Sequence, residues 1–277
     1  SAARRETGGS RCRIGSREVR GVVLTGPGPG VQIDLPARRF SRTYEGRVRI
    51  TASAGKLVPV VTMDLETAVS RVVAAEMPMG AAEAQKAQAI AARSYYQAAG
   101  RKHPSAPFAF CDTTHCQLLQ QQESRAAAEA TAGLVLRYAG KPVRALYFRS
   151  CAGQTLRASD IGWDAEGGYG FERVECAACR RDPKRWESQL PRRAVPASPS
   201  ERLRLEVVRR FGWDRLPSNS YRFADDRDSP TVRVYGAGEG HGVGLCQRGA
   251  AAMASTAPGA DAETILRHYY PGTTVSR

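Results

Sequence analysis

No apolar run in this chain is long enough to span a bilayer, so no segment reads as a transmembrane helix. Neither an internal repeat nor a heptad pattern is present, which excludes solenoids and coiled coils. No HExxH word occurs, which disfavours a zinc-dependent hydrolase. The arginines are scattered, with no basic–aromatic repeat and no nucleic-acid-binding signature. Nucleic acid is therefore not an expected partner, although the net charge is +14. No signal peptide is visible. The opening Ser1-Ala2-Ala3-Arg4-Arg5 reads as a truncated start, so a removed leader or anchor is the expectation.

What is present is an ordinary globular composition. The 277 residues are 42% hydrophobic, enough for one large domain or two small ones with a real core. Seven cysteines (Cys12, Cys111, Cys116, Cys151, Cys176, Cys179 and Cys246) cannot all pair within the chain. The spacing predicts a β-rich stretch over 1–62, with strands at Val19 to Leu24, Val31 to Leu35 and Arg47 to Ile50. Gly26-Pro27-Gly28-Pro29-Gly30 reads as a turn between them.

Asp64 can cap a helix over Leu65 to Ala75, whose Leu65, Val69, Val72 and Val73 share one face. A second helix is predicted from Ala81 to Ala99, ending at Gly100. Then come a loop over Arg101 to Cys116, a short helix over Ser124 to Thr131, and strands at Leu134 to Tyr138 and Val143 to Phe148. Asp182 to Ser200 reads as a surface excursion, followed by a helix over Ser200 to Phe211. Strands return near Tyr221 to Phe223 and Thr231 to Tyr235, and a last helix covers Asp261 to Tyr269. The mixed order predicts an α+β fold.

The most informative position is Glu76. Met77 precedes Pro78 and is pushed toward extended geometry, so the first helix must break beside this carboxylate. Spacing alone does not name its chemistry. The words around it do. Ala75-Glu76-Met77-Pro78 and Lys86-Ala87-Gln88-Ala89-Ile90-Ala91-Ala92-Arg93-Ser94-Tyr95 resemble the SpoIID/LytB family. So do Asp112-Thr113-Thr114-His115-Cys116-Gln117, Gly140-Lys141-Pro142-Val143 and Tyr147-Phe148-Arg149-Ser150-Cys151-Ala152-Gly153-Gln154-Thr155. Gly240-His241-Gly242-Val243-Gly244-Leu245-Cys246-Gln247-Arg248-Gly249-Ala250 is similar to its glycine-rich block, and Ile265 to Thr273 to its C-terminal end. The resemblance runs in order from about Val58 to Thr273.

That resemblance implies a peptidoglycan lytic transglycosylase cleaving MurNAc–GlcNAc linkages of peptide-stripped glycan strands, with an extracytoplasmic location in periplasm, cell wall or medium. The alternative it implies is a non-catalytic LytB-type wall-binding protein that modulates an amidase. It places the single general acid/base at Glu76. A pKa raised by burial or a negative neighbour would suit that role. Substrate contacts are expected from Arg93, Tyr95, His241, Gln247, Tyr269 and Tyr270. For Arg93 the competing reading is an internal ion pair; for His241, a hydrogen bond pinning its loop; for the tyrosines, core packing. The high charge suits a stripped strand, whose lactyl carboxylates are free, but equally suits a solvated arginine-rich surface. Two departures stand out: Arg248 where the family is usually aromatic, and Gly170 in place of a tyrosine–leucine–basic word.

Cys111, His115 and Cys116 share one short loop with His103, and two thiolates with two imidazoles are natural zinc ligands. Some relatives that the chain resembles hold zinc in the corresponding loop. A structural zinc is expected there, holding the loop near Glu76 and not needed for the chemistry. For Cys151, Cys176, Cys179 and Cys246, disulfide chemistry is favoured over a second metal, with both left open. The expected organisation is a β-rich segment over 1–62 packed on a catalytic domain over 63–277, with helices and antiparallel strands around a glycan-binding cleft.

Overall fold

The computed structural model describes residues 3–4, 12–14, 17–19, 21–24, 30–35, 40–53, 56–78, 80–120, 123–164, 168–224, 229–256 and 258–277. Among them the fold is α+β. Its helices are α1 (Leu65–Glu76), α2 (Ala82–Ala98), α3 (Arg125–Ala130), α4 (Ala177–Arg181), α5 (Glu201–Phe211), α6 (Gln247–Ser255) and α7 (Ala262–Tyr269). Contacts divide the chain into two units, Ser1–Ala75 with Gly100–Arg125 and Glu76–Ala99 with Ala126–Arg277. This is not the same division as 1–62 and 63–277.

The first unit is built from antiparallel strands. Gly21–Leu24, Arg47–Ser53 and Lys56–Thr62 form one sheet, and Val31–Leu35 pairs with Phe40–Tyr44. The single strand expected over Val19 to Leu24 is two, because its halves have different partners: Arg17–Val19 pairs with Cys12–Ile14, and Gly21–Leu24 with Arg47–Ser53. Apart from Gly30, the glycine–proline turn lies outside the described residues. Asp64 caps α1 as its sequence predicts, accepting the Thr67 N–H at 2.8 Å. Val69, Val72 and Val73 are fully buried along it.

The loop of 101–116 is tied to this β-rich unit. Asp112 accepts from Tyr44 Oη and from the Leu119 N–H, both at 2.8 Å, and pairs with Arg42. Arg71, buried on α1, donates to the Thr43 carbonyl at 2.9 Å and lies 3.3 Å from Glu123. A buried cation with both an ion-pair partner and a carbonyl is stable where an unpaired one is not.

The second unit centres on α2. From Ala87 to Tyr95 every residue is buried, so the helix is enclosed on all sides. Small alanines allow α6, α7 and strand Val135–Tyr138 to pack against it. Ser94 Oγ accepts the Leu136 N–H at 2.8 Å and joins helix to strand. A separate core packs α5 on a three-stranded sheet through Leu190, Val207, Val208, Leu216, Val232 and Val234.

That sheet corrects one expectation. Within the supposed excursion, Arg185–Pro191 is a strand that pairs along its length with Thr231–Ala237. The charges of Arg185 and Glu187 hide a two-residue alternation that turns Trp186 and Leu190 toward the core. The strand expected over Val143 to Phe148 is confined to Tyr147–Phe148, which pairs in parallel with Leu245–Cys246. α6 was hidden by the glycines before it.

Candidate active site

Glu76 closes α1, as the Met77-Pro78 pair requires. Met77 is buried, and its carbonyl accepts Gln85 Nε2 at 3.0 Å and the Gly80 N–H at 3.3 Å, which fixes the turn into α2. The Glu76 side chain is half-buried. Its partner is Gln247, the first residue of α6, whose Nε2 donates to Glu76 Oε2 at 3.0 Å and also lies 3.4 Å from Gln88 Oε1. Gln88 is fully buried on α2, and its Nε2 has no protein partner.

Burial raises the Glu76 pKa above the ordinary carboxylate value. The Gln247 bond and the positive charge of Arg149 pull the other way without overcoming it. Nearby, burial pushes the Tyr147 phenol well above its ordinary value, and the Glu76 charge adds to that push. The site therefore holds a carboxyl that keeps its proton to higher pH than an exposed one, beside a neutral phenol and a neutral amide. Gln88, Tyr147 and Arg149 all fall inside family-like words of the sequence, but their places here follow only from the fold.

Four of the residues expected to contact sugar are buried. Arg93 is 0% exposed and donates to the carbonyls of Leu134 at 2.9 Å and Ala128 at 3.2 Å. Tyr269 and Tyr270 are 1% and 0% exposed; their hydroxyls reach Cys176 Sγ at 3.5 Å and the Leu146 carbonyl at 2.6 Å. Tyr95 is buried on the enclosed face of α2. These side chains hold the unit together from within. Gln247 is buried as well, with its amide nitrogen turned to Glu76 rather than outward.

His241 pins its own loop. Its Nδ1 accepts the Val243 N–H at 3.1 Å, so Nε2 carries the proton and donates to the Tyr147 carbonyl at 2.9 Å. Burial lowers its pKa to about 4, so the ring is neutral near pH 7. From the other side, Asn219 Nδ2 donates to the His241 carbonyl at 3.2 Å and to Glu201 at 2.8 Å. Glu201 is itself held by both ends of the buried Arg204 guanidinium at 2.7 Å. Gly240, Gly242 and Gly244 all have positive φ. A Cβ at Gly242 would lie 2.9 Å from Leu156 Cδ1, so this loop needs its glycines for close approach. The departures also have places: Arg248 pairs with Asp182, and Tyr169 and Phe171, either side of Gly170, are buried.

In the first unit, His103, Cys111, His115 and Cys116 converge, their ligand atoms within 4.8 Å of one another. Cys116 Sγ lies 3.4 Å from His103 Nε2 and 3.5 Å from His115 Nδ1; Cys111 Sγ lies 3.8 Å from His115 Nδ1. A tetrahedral zinc with ordinary bond lengths separates sulfur and nitrogen ligands by about 3.6 Å, so the donors fit the ion. The sharp backbone turn that adjacent ligands require is present, with the Cys116 N–H bonded to the Thr113 carbonyl at 3.1 Å.

Residues 53–138 match the SpoIID family model, described as Stage II sporulation protein. The chain is 27% identical to Stage II sporulation protein D of Bacillus subtilis (strain 168), over 78% of this chain and 76% of that one. It is 26% identical to Stage II sporulation protein D of Bacillus amyloliquefaciens, over 78% and 75%. An uncharacterised protein of Brachyspira hyodysenteriae is similar too, at 26% identity over 84% of this chain and 72% of its own. Over residues 53–138 the chain is similar to the SpoIID family. The SpoIID match spans Glu76, Gln88 and the histidine–cysteine loop, whereas Gln247 lies beyond it. No helix among the described residues is long and apolar enough to cross a membrane.

Proposed function

We propose that this chain is a peptidoglycan lytic transglycosylase. It acts outside the cytoplasm, on glycan strands stripped of their peptides, and cuts the bond between N-acetylmuramic acid and N-acetylglucosamine. The observation that carries the reading is Glu76: a carboxyl at a helix break, its pKa raised by burial and its oxygen held by Gln247. SpoIID proteins are commonly described as lytic transglycosylases, which supports it.

The chemistry needs one such group. Protonated Glu76 gives its proton to the glycosidic oxygen as the bond to C1 breaks. The resulting carboxylate then takes the proton of the muramic acid 6-hydroxyl, and that oxygen closes on C1. Glu76 gives one proton to the leaving oxygen and regains one from the 6-hydroxyl, no water is consumed, and the product ends in a 1,6-anhydro ring. Hydrolytic glycosidases add a second carboxylate to handle water, which this reaction does not need. Gln247 steadies Glu76 in its ionised interval through an N–H bond. Arg149 is exposed and close enough to act on the Glu76 charge, so it is the cation we assign to a lactyl carboxylate in place of buried Arg93.

In the first unit, His103, Cys111, His115 and Cys116 would hold a structural zinc, which cross-links their loop and takes no part in proton transfer. Cys111→Ser is expected to lower the zinc content by elemental analysis.

The test is product chemistry. Stripped strands are incubated with the protein in water enriched in oxygen-18, and the fragments are weighed. Anhydro ends without the heavy isotope are expected. Labelled reducing ends would make the enzyme a hydrolase. Strands that bind but stay intact would favour the non-catalytic, amidase-modulating reading.

A further inference from the structure

Four cysteines of the second unit lie apart from the histidine–cysteine loop. Cys151, Cys176, Cys179 and Cys246 are all buried, at 3% exposure or less. Their sulfurs lie within 4.8 Å of one another. The disulfides favoured from sequence are not formed, and all four are free. A bridge would bring one pair to about 2.05 Å and leave the other two sulfurs apart. Instead all four converge, and Cys179 Sγ lies 3.6 Å from Cys246 Sγ.

We infer that Cys151, Cys176, Cys179 and Cys246 form a four-thiolate zinc site that fastens the start of α6. Zinc–sulfur bonds of about 2.3 Å place tetrahedral sulfurs about 3.8 Å apart, close to the separation seen. An iron–sulfur cage would spread its cysteine sulfurs further than one ion does. The Cys176-Ala177-Ala178-Cys179 spacing is a common half of such sites. Binding releases the four thiol protons and leaves a buried complex of net charge −2, which needs donors around it. They are there. Cys246 Sγ accepts the N–H groups of Cys151 at 3.3 Å and Gly249 at 3.4 Å, and Cys176 Sγ accepts the Tyr269 hydroxyl at 3.5 Å.

The surrounding backbone is set for it. The Cys176 N–H bonds to the Gly153 carbonyl and the Thr155 N–H to the Val174 carbonyl, both at 2.9 Å, which binds the first two ligand segments together. Gly249 has no room for a side chain, since a Cβ would lie 2.5 Å from Cys176 Sγ. The ion thus joins three segments: the chain after strand Tyr147–Phe148, α4, and the Leu245–Cys246 strand. Gln247 is the next residue, so this staple also fixes the base from which its amide reaches Glu76. The site's existence does not rest on the glycan reading.

The full chain carrying Cys111→Ser and Cys116→Ser, which removes the loop donors, isolates this site. Elemental analysis is expected to find about one zinc per chain, and zinc K-edge absorption four sulfurs at about 2.3 Å with no nitrogen shell. Zinc below one-tenth per chain, iron in its place, or a mass lower by two or four hydrogens from disulfides would overturn the proposal. The unmodified protein gives a second reading. An average of three or four sulfurs per zinc supports the site, and two with two nitrogens means that only the loop is loaded.

Discussion

Gln247 Nε2 donates to Glu76 Oε2 at 3.0 Å, although 171 positions of sequence separate the two residues. The bond joins the end of α1 to the start of α6 and opposes the rise that burial imposes on the carboxyl. Removing the donor therefore has a predictable sign.

Gln247→Ala leaves Glu76 buried without its N–H partner. The ionised form loses support, so the pKa rises further, and the alkaline limb of kcat/KM moves to higher pH. Hydrogen bonds to charged groups contribute about 1.5–3 kcal/mol, which corresponds to a loss of about 10- to 150-fold in kcat/KM below that limb. A pH profile of strand cleavage measures both. A uniform loss with an unmoved limb would mean that Gln247 acts on the substrate instead.

Glu76 also links stability to pH. Its folded pKa is raised above the ordinary 4.5, so the folded chain binds this proton more tightly than the unfolded one. The stability it carries is complete at acid pH, below the unfolded value, and is lost as pH rises through the folded value. Glu76→Gln never ionises and its amide oxygen can still accept from Gln247. The variant should be more stable than the parent at pH 7, with the difference closing toward pH 4. Urea midpoints across this range test it; parallel curves would contradict the raised pKa.

Arg93→Ala should fail as a fold variant rather than as a binding variant. It strips the buried carbonyls of Leu134 and Ala128 of a charged donor and leaves a cavity inside the α2 core. The expected cost is about 3–5 kcal/mol, read as a fall in unfolding midpoint. The KM of the folded fraction should stay within about twofold. A raised KM with unchanged stability would return Arg93 to the substrate.

Local signals in the chain were legible. Asp64 and Pro78 bound α1 because capping and pre-proline sterics act over a few residues. Glu76 could be singled out for the same reason. The Glu76–Gln247–Gln88 arrangement could not, since its members meet only through packing of α6 on α2. His241 looked ligand-facing because glycines flank it, yet the same glycines let both ring nitrogens find backbone partners. Arg185–Pro191 was missed because its outward charges resemble a loop. The four buried cysteines were visible as candidates, but sulfurs brought together from across the sequence do not announce whether they pair or converge.

The most direct measurement compares the parent and Glu76→Gln on peptide-stripped glycan strands, with fragments weighed by mass spectrometry and folding checked by circular dichroism. The account predicts 1,6-anhydro ends from the parent and a loss of at least about 100-fold in the variant, the scale of a general acid–base contribution. A folded Glu76→Gln protein that forms anhydro ends at the parent's rate would contradict it.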